Sequence, residues 1–235
     1  MSISTGLELK TFINSLNAEA NIDETLLDVL VDNARAIIEE ERPWMVLRKV
    51  DTSKTVTTAN LYTTAIDLST IVNFSRFYSD VPIRLFDGNN QIQYYSLKPF
   101  DRQLEYKDVS NTACYDENAK KLYLNGTVPF NGTLYLNHVE TSTDIDLASV
   151  IAVWASFPKR FLPVLAFYAI GIFKGAVDYD SINRQMLPEN KATLDALKNA
   201  MEKWDNEKQM ASMETNDPTD LYAYPRNGSI DRYDN

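Results

Sequence analysis

The sequence holds one cysteine, Cys114, and one histidine, His138, in 235 residues. An intrachain disulfide is therefore excluded, and so are the zinc spacings built from several Cys and His. Glycine is scarce, at seven. No GxGxxG, GxxxxGK[ST] or GxSxG stretch occurs, so phosphate-cradling loops and a nucleophile elbow are missing. Positive charge is also short: 23 Lys and Arg stand against 33 Asp and Glu, a net charge of −10. DNA-binding surfaces draw affinity from neutralised phosphates, and peripheral membrane proteins draw it from anionic lipid. This balance argues against both roles. The one strongly apolar run, Phe161–Phe173, has thirteen residues between Arg160 and Lys174. A membrane-spanning helix needs roughly 20, so the run predicts a helix buried on most sides. The opening MSISTGLELK has no basic stretch followed by an apolar one, and no secretion signal is expected. The sequons at Asn73, Asn125 and Asn131 then read as turn chemistry rather than glycan sites.

What is present suits a sizeable core: 44% of residues are hydrophobic and 11% aromatic. Leu7, Phe12, Ile13 and Leu16 suggest a short first helix. Asp23 is a natural N-cap, with Ile22 before it and Leu27 at the staple position. Leu27, Leu30, Ala34, Ile37 and Ile38 then form one stripe at helical spacing. Pro43 ends this helix near Glu41, and Glu39–Arg42 read as a solvated helix end.

From Trp44 the composition turns to Thr, Val, Ile, Phe and Tyr, broken by Asp, Asn, Pro and Gly. Thr52–Thr58, Thr70–Tyr78 and Gln91–Leu97 are predicted strands. KLYLNGT at 121–127 and TLYLNHV at 133–139 are near-duplicates. Each puts two leucines on one face (Leu122 and Leu124; Leu134 and Leu136) and a tyrosine on the other (Tyr123; Tyr135). With Asn125-Gly126 and Asn131-Gly132 as turn residues, they predict a hairpin with its tip at 128–130. After a polar connector, prolines 158 and 163 suit a helix's first turn, and a helix is expected over 161–177. Pro188 opens a last helix, on which Leu194, Leu197, Met201 and Trp204 share a face.

The expected fold class is α+β, a helical bundle with an inserted, strand-rich antiparallel β module and an extended C-terminal tail. Its parts are helices of the bundle at 1–43 and 144–210, the β module at 44–143, and the tail at 211–235. The insertion follows from mutual need: the striped helix at 23–41 and the almost wholly apolar one at 161–177 each require a partner. The tail, ASMETNDPTDLYAYPRNGSIDRYDN, carries no helical or strand period and orders only against a partner. Leu221, Tyr222, Tyr224, Arg226 and Tyr233 are its candidate partner-binding residues, because aromatics and arginine dominate interface energetics.

No catalytic residue, metal site or cofactor is expected. His138 has no nucleophile in a recognisable context. Cys114 lies beside Asp116 and Glu117, whose charges would raise its pKa rather than activate it. Asp144-x-Asp146 and Asp178-x-Asp180 lack the glycine and distal glutamate of an EF-hand loop and read as helix caps or solvated acids.

Three segments carry a resemblance: ERPWMVLR at 41–48, FPKRFLPVLAFYAIGIFKGAVDYDSINRQ at 157–185, and AMEKWDNEKQ at 200–209. Their order is an early tryptophan closing the helical start, a Pro-basic-aromatic helix after the β region, and a final helix ending in methionine and an acidic segment. Over about residues 40–210 it resembles the head-to-tail adaptor, or connector, proteins that bind below the portal of tailed bacteriophages. The resemblance implies a virion protein of the neck, between head and tail, assembled in the cytoplasm of a bacterial host. It implies a ring of identical subunits, commonly a dodecamer, docked on the portal protein and offering a platform to the nozzle or tube proteins of the tail. Genomic DNA would pass through the channel without specific binding, and an acidic wall would repel it. No membrane partner is expected. A carbohydrate- or receptor-binding accessory module is the alternative, motivated by thirteen tyrosines, three tryptophans and the Thr/Asn-rich β block. An enzyme using scattered carboxylates, such as a glycosidase, is a third and least favoured reading.

Overall fold

The computed structural model describes residues 3–16, 22–79, 81–89, 91–143, 145, 147, 148, 154 and 156–214, the last four as helical backbone only. It is mixed α/β. Two helices, α1 (Gly6–Leu16) and α2 (Glu24–Glu41), open the chain. Eight strands follow: β1 (Arg48–Val56), β2 (Ile66–Asp67), β3 (Phe74–Phe77), β4 (Ile83–Phe86), β5 (Ile92–Lys98), β6 (Thr112–Asp116), β7 (Lys121–Leu124) and β8 (Gly132–Glu140). A single helical turn, α3 (Gln103–Tyr106), sits between β5 and β6. Three helices close the chain: α4 (Leu162–Phe173), α5 (Tyr179–Gln185) and α6 (Pro188–Glu214).

Helix α2 begins where its cap chemistry dictates. The Asp23 side chain accepts a hydrogen bond from the Thr25 N–H at 3.0 Å, and Ile22 and Leu27 are both buried. Arg42 is extended ahead of Pro43 and ends the helix. On α1, Leu9 and Ile13 are the buried pair, whereas Leu7 is exposed. Helix α4 is buried from Leu162 through Gly171 except at Pro163, and α1, α2, α5 and α6 all contact it. The run expected to reach 177 stops at Phe173. The Gly175 N–H bonds the Ile172 carbonyl at 2.8 Å and the Ala176 N–H bonds the Gly171 carbonyl at 3.0 Å. This pair of bonds closes the helix, with Gly175 at φ +89°. Asp178 then caps α5, a helix the sequence reading missed, and forms a reciprocal capping box with Ser181.

Gly171 lets α5 approach α4. A Cβ there would lie 2.7 Å from Cγ1 of Ile182. Gly171→Ala is therefore expected to destabilise the chain by about 1–3 kcal/mol through overpacking, read as a lower midpoint in urea unfolding.

The sheet runs in the order β1-β8-β4-β5-β6-β7-β2, with β3 also pairing β8, and is nearly closed and barrel-like. Strand β8 is its axis. One edge takes β1; the other takes β4 over residues 133–136 and β3 over 138–140. Strand β5 continues past β4 to pair β6 in parallel, so the sheet is not purely antiparallel as expected.

The 121–139 hairpin does not form. β7 pairs β6 and β2, and β8 pairs β1, β3 and β4. The Leu-x-Leu alternation was right about faces, since Leu122, Leu124, Leu134 and Leu136 are all buried. Period-two patterning selects a face, but it does not select a partner strand. Asn125 is no exposed turn residue. It is fully buried; its N–H bonds the Thr112 carbonyl at 2.9 Å, and the Gly126 N–H bonds Lys107 at 2.7 Å. Those bonds tie the segment after β7 to the β6 side. Strands β2, β4 and β6 were also missed, being short.

Two separate apolar cores result. One lies among the helices and takes in Trp44, Tyr78, Val139 and Trp154. The other fills the sheet, from Val56 and Ile66 to Leu134 and Leu136.

Candidate functional site

The three segments that carry the adaptor resemblance lie far apart in sequence and meet at one place. Pro43 stops α2, so the chain turns back and Trp44 drops into the helical core, 1% exposed. Its indole N–H donates to the Ile38 carbonyl at 2.7 Å, one of the end carbonyls that a helix leaves unpaired. The Trp44 ring meets Phe157 edge-on at 5.6 Å between centroids, and Trp204 of α6 packs against Phe157 and Phe161. Arg42 stacks over Trp44 from outside.

A polar layer surrounds this aromatic knot. Asp205 of α6 is fully buried. Its Oδ1 accepts from the Met45 N–H at 2.7 Å, and its Oδ2 lies 3.0 Å from Arg42 Nη2. That second contact is a charge pair out of line for a hydrogen bond, and Arg42 Nη2 donates instead to Asn206 at 3.0 Å. Glu41 accepts from the Tyr168 hydroxyl of α4 and pairs with Lys198 of α6 at 2.8 Å. Burial, followed by the Glu41 charge, pushes the Tyr168 pKa up, so this phenol stays a donor. Tyr179 is raised likewise by burial and by its bond to Asp195. An open groove of about 360 Å³ beside the layer is lined by Ile37, Glu41, Arg42, Tyr179, Lys198 and Glu202, among others.

On the other side of α2, Glu39 is 3% exposed. Its carboxylate accepts from the Trp154 indole at 3.1 Å and the Ser142 N–H at 3.1 Å, and it pairs with Arg35 at 3.4 Å. Arg76 of β3 donates to the Glu39 and Glu40 carbonyls at 3.1 and 3.2 Å. It thereby caps the negative end of α2 from the sheet. The reading of Glu39–Arg42 as a solvated helix end is thus corrected for Glu39, Glu41 and Arg42, while Glu40 is exposed. Glu39, Glu41 and Arg42 tie α2 to the connector, to α4 and to α6. Two signals were available: Arg35 and Glu39 are four residues apart beside the stripe, and Asp205 falls four residues after Met201 on the buried face of α6.

Burial pushes the Asp205 pKa above the usual carboxylate range, partly offset by the Met45 N–H and the Arg42 charge. With its folded pKa above its unfolded one, the folded chain holds the extra proton between the two values. Its contribution to stability therefore falls as pH rises through that interval. The stability of the natural chain minus that of Asp205→Asn should accordingly decrease with rising pH, measured by urea unfolding across pH 4 to 7 in roughly unit steps. Asparagine keeps an oxygen for Met45, so Asp205→Ala should be the more damaging change.

The two lone residues of reactive type are embedded in the sheet. His138 is 2% exposed and stacks on Phe74 with centroids 5.1 Å apart; its Nδ1 lies 3.1 Å from the Leu136 carbonyl. Cys114 is fully buried and its pKa is raised. The cause is burial, not the neighbouring acids, and the Asn125 amide at 3.4 Å partly offsets it. Among the described residues, no three His, Cys, Asp or Glu side chains gather to hold a metal, and no helix is long and apolar enough to cross a membrane. Asp178 is the helix cap the sequence suggested, while Asp144 and Asp146 lie outside the described residues. So do Leu221, Tyr222, Tyr224, Arg226 and Tyr233. Helix α6 itself continues to Glu214, past the boundary expected at 210.

Chemically, the junction is a clamp. Glu41 holds the Tyr168 hydroxyl and Lys198, and Asp205 holds the Met45 N–H. The clamp sets the direction in which α6 leaves the core. No protein-family model matches the chain, and no curated protein matches it.

Proposed function

We propose that the chain is a non-enzymatic structural subunit of a tailed-phage neck, forming a ring between the portal and the tail. In this reading the helices are a bundle, the β module is inserted in it, and residues 211–235 reach a partner. The observation that carries it is the convergence of Trp44, Phe157, Phe161, Trp204 and Asp205 on one clamp. Those residues come from the three segments that resemble head-to-tail adaptors. The separate cores of helices and sheet suit a bundle that docks and a module that projects. The net charge of −10 suits a channel wall that DNA passes without adhering.

The test is to mix the purified chain with purified portal rings of its cognate phage and image the mixture by electron microscopy. Rings of this chain capping the portal are expected; bare portals would overturn the reading. Removing 215–235 should weaken docking at least about tenfold, as loss of a partner-wrapping segment does, and leave the thermal midpoint within about 2 °C. Undiminished docking would remove the tail from the interface.

A further inference from the structure

The outer face of the sheet is aromatic where β5, β4 and β8 run side by side. On β4, Ile83 and Leu85 are fully buried in the sheet core, so Arg84 and Phe86 turn outward. Residues directly opposite one another on paired strands share a face. Arg84 stands between Tyr94 of β5 and Tyr135 of β8, and Phe86 stands between Ile92 and Thr133. Ile92 is 50% and Tyr94 51% accessible, while Phe86, Thr133 and Tyr135 are half-buried. Phe86 meets Tyr135 edge-on with centroids 6.0 Å apart. The Arg84 guanidinium lies 5.8 Å from the Tyr135 ring, with its Nε and Nη2 buried. Rings and hydroxyls, not charge, therefore dominate what this face shows to solvent.

Three kinds of partner fit this face poorly. Nucleic acid and anionic lipid both need exposed cations. Over residues 84–86, 92–94 and 133–135 the one charged side chain is Arg84, and two of its nitrogens are already covered. A protein partner needs area, roughly 800 Å² on each side of a standard interface. Two residues on each of three strands span only about 10 Å by 7 Å of backbone. What the face does fit is a neutral ligand one sugar ring wide. A pyranose has a flat C–H face, which packs on the negative face of an aromatic ring. Its rim carries hydroxyls, which can exchange hydrogen bonds with the hydroxyls of Tyr94, Tyr135 and Thr133.

We infer that this face binds a neutral oligosaccharide of β-1,4-linked pyranose rings, with Tyr94 and Tyr135 as its two stacking platforms. Strands β5 and β8 flank β4, so the backbones of the two tyrosines lie about 10 Å apart. In an extended β-1,4-linked chain each sugar is turned over relative to the last, so every second ring offers the same C–H face. One such ring would meet Tyr94 and the next but one Tyr135. Ile92 and Phe86 widen the apolar floor beside them, and Thr133 supplies a hydroxyl at its margin. A mostly apolar floor with a few polar groups is the usual composition of a small-ligand site. The inference does not rest on the ring reading, and its test needs no portal.

The test titrates the full chain with cellohexaose and, separately, with chitohexaose, followed by isothermal calorimetry. At least one of the two is expected to bind with a dissociation constant between about 10 μM and 1 mM. Tyr94→Ala and Tyr135→Ala should each weaken that binding at least about fivefold, with the circular dichroism spectrum unchanged. Tyr94→Phe keeps the ring and should bind within about twofold of the natural chain. Leu7→Ala, which removes an exposed apolar side chain on α1, should change nothing. If neither hexasaccharide binds at concentrations up to about 5 mM, the site is overturned. Binding that survives both tyrosine-to-alanine changes, or that falls equally with Leu7→Ala, overturns it as well. Should Tyr135→Ala fail to fold, Tyr94→Ala alone decides, because Tyr94 is half exposed and outside the sheet core.

Discussion

Trp44→Ala is expected to lower the unfolding free energy by about 3–5 kcal/mol, the range for deleting a buried aromatic. Trp44 is among the largest fully buried side chains, and three losses add. The cavity opens between α2 and the loop that carries Phe157, where the edge-on ring contact disappears. The Ile38 carbonyl loses its indole donor in a buried place, which carries its own desolvation cost. Arg42 loses the ring under its guanidinium, a smaller effect near the surface. Trp44→Phe restores most of the volume but not the N–H and should recover more than half of the loss. Urea unfolding followed by circular dichroism reads both variants. A phenylalanine variant as unstable as the alanine one would show that the hydrogen bond, not the packing, dominates.

Glu39→Ala should cost a similar amount, about 3–5 kcal/mol, because it removes the acceptor of two donors and one charge partner of Arg35 at once. The Trp154 indole, the Ser142 N–H and Arg35 all face this carboxylate. After truncation the first two are buried donors without an acceptor, and Arg35 loses a charge partner. Glu39→Gln keeps an oxygen for Trp154 and removes only the charge, so it should fall between the natural chain and Glu39→Ala. The double variant Glu39→Ala with Arg35→Met measures the coupling of the pair: if the two changes cost less together than the sum of the single variants, the Arg35–Glu39 interaction is net stabilising. If the costs simply add, the ion pair contributes little and the connector bonds to Trp154 and Ser142 carry the effect.

These predictions bear on the proposed ring through geometry. The clamp lies where α2, α4 and α6 meet, so loosening it should blur the direction of α6 before it unfolds the sheet, whose core is separate. On the proposed ring reading, near-threshold variants such as Asp205→Asn, which loosen α6 itself, should therefore lose portal docking at temperatures where the sheet remains folded.

Local chemistry made much of this fold legible. The Asp23 cap, the stop at Pro43, the stripe of α2 and the opening of α6 at Pro188 each depend on residues within a few positions of one another. Such signals survive in one dimension. The buried faces of β7 and β8 were legible for the same reason, because alternation is a property of one strand. Strand partners were not legible. Nothing in KLYLNGT or TLYLNHV states that β8 will sit between β1 and the β3–β4 edge, or that β5 will cross to a parallel β6. Pairing is decided by which closed arrangement buries all the leucines at once, and that depends on the whole chain.

The candidate site divides the same way. Composition alone argued against disulfides, clustered Cys–His zinc sites and a basic nucleic-acid surface, because each needs residue types or a charge this sequence lacks. Trp44, the apolar run before Lys174 and the Trp204 stripe could be picked out as unusual from sequence. That Glu39, Glu41 and Asp205 are anchors rather than solvated acids was decided only in three dimensions. A carboxylate in a helix has the same local appearance whether it faces water or a buried N–H. Its role is set by what packs across from it, and here those partners lie between about 100 and 160 residues away. The sequence determined which side chains were available, and the tertiary structure decided which acids became anchors.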